Sequence, residues 1–134
     1  MIRLIQKEIE KLKKQILEEG AVVEERVRMA VKSVEDHDPE LARQVIQGDI
    51  DIDQMEVDLE EECLKILALY QPVAIDLRFI IAVLKINNDL ERLGDLAVNI
   101  AERSTCLAAP VRNSMIGDII LMAEKAQSML RNSL

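Results

Sequence analysis

Apolar residues in this chain recur at alternating spacings of three and four, over stretches of some thirty residues, and the pattern breaks at only three places. Ile2, Ile5, Ile9, Leu12, Ile16, Gly20, Val23, Val27, Ala30 and Val34 form the first series, with one extra step of four around Gly20. Leu41, Val45, Gly48, Ile52, Met55, Leu59, Cys63, Ile66 and Tyr70 form the second. Phe79, Ala82, Ile86, Leu90, Leu93, Ala97 and Ile100 form the third. This is the period of a helix that buries one face, and a strand would instead alternate every second residue. Composition agrees: Tyr70 and Phe79 are the only aromatic residues, and 4 Gly and 3 Pro leave little turn chemistry for a β fold.

The breaks are chemically specific. Asp38-Pro39 supplies an N-cap and a proline at the first helical position. Gln71 precedes Pro72, which disfavours the helical region for it, and Ala109-Pro110 opens the third break. The three long segments are each predicted to be helices of roughly 50 Å at 1.5 Å per residue. Short connections between long amphipathic helices force neighbours to run antiparallel. The fold class expected is therefore all-α, an up-down three-helix bundle spanning residues 1–108. Residues 109–134 form a linker and a shorter fourth helix, striped by Ile119, Met122, Ala126 and Met129, whose apolar face requires a partner. Gly20 and Gly48 lie on the seams and are expected to permit close helix approach.

Twenty-five acids against 17 bases give a net charge of −8. Nucleic acid and anionic membrane surfaces, which need basic faces, are poor partners for such a chain. The longest uncharged apolar run, Phe79 to Leu84, is too short to span a bilayer, and the N-terminus has no signal-peptide pattern. Two separated cysteines, Cys63 and Cys106, fit a reduced compartment and are expected to be small buried apolar residues. A cytoplasmic location is expected.

The acids are unevenly placed. No base lies between Arg43 and Lys65, a stretch holding Asp49, Asp51, Asp53, Glu56, Asp58, Glu60, Glu61 and Glu62. Asp49, Asp53, Glu56 and Glu60 share one strip of the second helix. Asn88, Glu91, Asp95, Asn99 and Glu102 share a strip of the third. Together they present oxygen ligands of the kind hard cations prefer. A solvated acidic face that only keeps the protein soluble is the alternative. The single histidine, His37, sits in a predicted loop and excludes a di-iron site built from two Glu-x-x-His motifs. No Gly-rich phosphate loop, nucleophile triad or other catalytic constellation is present, and no enzymatic activity is expected.

Gln71-Pro72-Val73-Ala74-Ile75-Asp76-Leu77-Arg78, followed by Asn88-Asp89-Leu90-Glu91-Arg92-Leu93-Gly94-Asp95-Leu96-Ala97-Val98-Asn99-Ile100, resembles the PhoU family. That family's signature is a Pro-x-x-x-Asp-Leu-Arg helix start and a Leu-Glu-Arg-Ile-Gly-Asp stretch, here with Leu93 in the Ile position. Gly48 to Glu56 and Gly20 to Glu24 resemble its second and first helices. The resemblance implies a regulator of phosphate uptake and phosphate-starvation signalling, linking the ATPase of a phosphate ABC transporter to a sensor histidine kinase. It implies metal ions (Fe, Zn, Mn or Mg) on an acid-x-x-x-Asp pattern, which falls on Asp49 with Asp53 and on Glu91 with Asp95. Asn99 and Glu102 would supply further oxygens, and Arg92 would orient a carboxylate or pair between helices. The family joins two three-helix repeats, whereas this chain holds one repeat and the opening helix of a second. A homodimer through the fourth helices is therefore expected.

Overall fold

A computed structural model describes residues 2–104, together with Gly117, Asp118, Leu121, Glu124, Lys125 and Ser128, which are helical. Three helices make up the described bundle: α1 (Ile2–Glu35), α2 (Pro39–Tyr70) and α3 (Ala74–Arg103). There is no strand among the described residues. The boundary expected at 108, Cys106 and most of the expected fourth helix lie outside the described residues.

The connections are three residues long, and local chemistry sets them. Asp38 caps α2: its Oδ1 accepts from the backbone N–H groups of Glu40 at 3.1 Å and Leu41 at 3.2 Å, and Pro39 follows at the first helical turn. His37 takes a positive φ of 51° in this turn. At the other end Gln71 adopts the left-handed conformation, φ 45° and ψ 56°, and its N–H donates to the Leu67 carbonyl at 3.3 Å. That conformation removes Gln71 from the helix ahead of Pro72, as the proline requires.

Each helix packs against the other two. Leu12, Ile16, Ile52, Leu59, Ile66, Ile80, Leu90 and Ile100 are among the largest fully buried side chains. No described helix is long and apolar enough to cross a membrane.

Three details of the predicted seams are corrected. At the start of α3 the buried positions are Ile80 and Val83, not Phe79 and Ala82. Phe79 lies half-buried at the seam edge, its ring facing the Lys13 ammonium 5.6 Å from the centroid. On α2 Glu56 is buried while Met55 is only half-buried. At Gly48 the space is filled by a side chain and not by a neighbouring helix backbone. A Cβ there would lie 2.5 Å from Cζ of the Arg26 guanidinium.

Candidate functional site

Packing of α2 against α3 positions the acids. The Asn87 side chain on α3 reaches across the interior and donates through Nδ2 to the Glu56 carbonyl on α2 at 3.0 Å. Two turns further along α3, Gly94 faces α2. A Cβ on Gly94 would sit 3.6 Å from Ile52 Cγ2 and 3.9 Å from both Asp49 Oδ1 and Glu56 Oε1. A glycine here keeps the acidic strip of α2 close to α3, where Asp95 follows directly in sequence.

The result is a three-carboxylate group. Asp49, Asp53 and Asp95 each place one oxygen within 4.8 Å of the others. Two ionised carboxylates at such a separation repel by about 1 kcal/mol in water and by roughly 3–4 kcal/mol at an effective dielectric of 20. Asp53 and Asp95 are exposed, so the lower figure applies to them, while Asp49 is half-buried. Burial first, then the charges of Asp53 and Asp95, raise the Asp49 carboxyl above the usual range. Its Oδ1 is buried without a hydrogen-bond partner. An oxygen that is buried, unpartnered and surrounded by like charge is stabilised by a cation, and the all-oxygen set suits Mg²⁺, Mn²⁺ or another hard ion. The residues present therefore fit a metal.

Of the four ligands implied by resemblance, three come together and one stands apart. Glu91 is exposed one turn before Asp95, outside the group of three, and acts through its charge on Glu56. Glu60 and Glu102 are exposed and also outside it, and Asn88 and Asn99 are exposed on α3. Arg92 forms its ion pair with Asp89, one turn away on α3, and does not bridge to another helix.

Behind the group lies a buried polar layer that the sequence reading missed. Glu19 on α1 is 1% exposed, and neither of its carboxylate oxygens has a partner. Desolvation pushes its carboxyl up to about 7. Glu56 is pushed up to about 8, by burial first and then by Glu19, Glu91, Asp53 and Asp95. A line of carboxylates thus runs from the interior to the surface group. The apolar spacing did not point to Glu19: counting it on the seam in place of Gly20 only moves the doubled step of four from Leu12–Ile16–Gly20 to Glu19–Val23–Val27. Cys63 is buried as expected, and its thiol is raised to about 12, which makes it a poor thiolate ligand.

Comparison with known proteins places these features in a family context. The model of the PhoU domain matches residues 16–104. The chain is 42% identical over 127 residues to the phosphate-specific transport system accessory protein PhoU homolog of Aquifex aeolicus (strain VF5), covering 95% of this chain and 58% of that protein. The crystal structure of PhoU from Pseudomonas aeruginosa superposes with a TM-score of 0.75 at 35% identity, over 94% of this chain and 61% of that one. The phosphate transport system regulatory protein PhoU from Streptococcus pneumoniae superposes with a TM-score of 0.77 at 27% identity, over 92% and 62%. The chain thus spans less than two thirds of the length of these relatives.

Proposed function

Since the chain belongs to the PhoU domain family, we propose that it is a non-enzymatic accessory regulator of phosphate transport whose α2–α3 face carries a metal ion. Relatives named as accessory or regulatory proteins of phosphate transport support the regulatory part. The observation that carries the metal part is the convergence of Asp49, Asp53 and Asp95 around a buried, unpartnered oxygen. These three carboxylates hold the ion, with Glu91 one turn away as a further acid. The ion, when bound, supplies positive charge that offsets the repulsion of the strip and fixes α2 against α3. The chain's own residues then present a rigid face to a partner.

In this reading the partners are the ATPase of a phosphate ABC transporter and a sensor histidine kinase at the cytoplasmic side, both held in check when phosphate is plentiful. Two copies of the chain associate, and solution mass at micromolar concentration tests that step: a monomer there contradicts it. Phosphate uptake in cells grown with ample phosphate tests the regulatory role. Deleting the chain is expected to raise uptake and phosphate-starvation gene expression, and restoring it to lower both. An Asp49→Ala/Asp95→Ala chain is expected to restore them only weakly. No change on deletion would overturn the regulatory reading, and full restoration by the double variant would overturn the metal's part in it.

A further inference from the structure

Helix α2 carries two apolar rows with a period of seven. Val45, Ile52, Leu59 and Ile66 form one and are buried in the bundle. Ile50, Val57 and Leu64 form the other, displaced five residues, or about 140° around the helix. This second row is uncovered: Ile50 is 75% exposed, Val57 48% and Leu64 52%, and Ile46 extends it by one turn at 37%. Single exposed apolar residues are ordinary, whereas these four line up over about 27 Å of one helix, an arrangement of the kind that marks interaction sites.

Charge decides what can cover it. Exposed Asp53 and Glu60 alternate with the apolar row, three residues after Ile50 and Val57, and exposed Glu61 follows Val57 by four. Among the described residues no ion pair engages Asp53, Glu60 or Glu61. The row lies wholly within the stretch from Arg43 to Lys65 that has no base. A second copy laid face to face would set acid against acid, and an anionic lipid surface would be repelled. The chain's own residues 105–134 carry Arg112, Lys125 and Arg131 against Asp118 and Glu124, with no base recurring at seven.

We infer that the outer face of α2 docks an amphipathic helix of another protein, one with an apolar residue every seven positions and Lys or Arg three and four residues after each. Its apolar side chains cover Ile50, Val57 and Leu64, while its bases meet Glu60 and Glu61, which lie outside the three-carboxylate group. This deepens the adaptor reading by naming the chemistry of a partner. Its test uses no component of phosphate transport, so the two can fail separately.

The test measures binding of fluorescent helical peptides of about 20 residues, long enough to span the row, to the 134-residue chain. One peptide has the apolar heptad row flanked by Lys and Arg, a second the same row flanked by Glu, and a third the first composition scrambled. The basic heptad peptide is expected to bind at least about tenfold more tightly than either control and to weaken with salt. Val57→Gln/Leu64→Gln is expected to weaken it by about tenfold or more, with an unchanged melting temperature because both residues are exposed. Equal binding of the scrambled peptide would mean only attraction to a polyanion and would overturn the inference. So would unchanged binding by the double variant, or a self-association of the chain that the double variant abolishes.

Discussion

Asn87 on α3 donates its side-chain N–H to the main-chain carbonyl of Glu56 on α2, 3.0 Å away in the bundle interior. The bond fixes the two helices at a level from which Gly94 meets Ile52 and Asp95 meets Asp49 and Asp53. A buried amide is costly to place, and Asn87 Oδ1 has no partner, so the residue trades stability for registration of the acidic face.

Replacing Asn87 with Ala removes that bond and leaves a small void. The expected loss is about 1–2 kcal/mol in denaturant unfolding. An isosteric Asn87→Leu is expected to lose less, because it fills the space and removes an unpartnered oxygen. Equal and negligible losses for both would show that the amide does not fix the helix pair.

The buried acids make stability depend on pH, with a definite sign. The Glu19 and Glu56 carboxyls sit at about 7 and about 8 in the folded chain, above their ordinary value of 4.5. Between the ordinary value and the raised ones, the unfolded chain has released protons that the folded chain still holds. Stability therefore falls as pH rises from about 5 to 8 and levels off above that. Chelator-treated protein is expected to melt at progressively lower temperature across this window. Glu19→Gln should flatten the fall and add on the order of 2 kcal/mol at pH 8, since each raised unit corresponds to about 1.4 kcal/mol. A melting temperature independent of pH in both proteins would contradict the buried placement.

Gly94 is a packing position whose size tunes the site. A Cβ there has no neighbour closer than 3.6 Å, so Gly94→Ala fits and is expected to gain up to about 1 kcal/mol from helix propensity. Gly94→Leu must separate α3 from Ile52 and so move Asp95 away from Asp49. Cation affinity, read by titration calorimetry, is expected to fall with Leu and to hold with Ala. Equal affinity in the two variants would mean that the helix spacing does not govern the site.

What could be read from the sequence followed from where local rules suffice. Asp38-Pro39 and Gln71-Pro72 end and begin helices through their own backbone chemistry, so both turns were legible. The acid-x-x-x-Asp spacing places Asp49 with Asp53 on one helical face whatever surrounds them. Glu19, Glu56 and Asn87 were read as surface residues, or passed over, because a polar side chain at a seam position is ordinarily expelled to solvent. Their burial is a decision of the assembled bundle, which the spacing of apolar residues along each helix does not contain. Whether Glu91 joins the aspartates depends on how α2 and α3 are rotated against each other, which spacing along one helix does not contain.

The most direct test of the metal surface is thermal melting of chelator-stripped protein, alone and with Fe²⁺, Mn²⁺, Zn²⁺ or Mg²⁺, beside Asp49→Ala/Asp95→Ala. A cation held by Asp49, Asp53 and Asp95 at a hundred times its Kd adds about 2.7 kcal/mol, a rise of roughly 10 °C in a chain of this size. Such a rise is expected with at least one of these ions in the native chain and none in the double variant. No rise with any of them, or the same rise in both proteins, would contradict it.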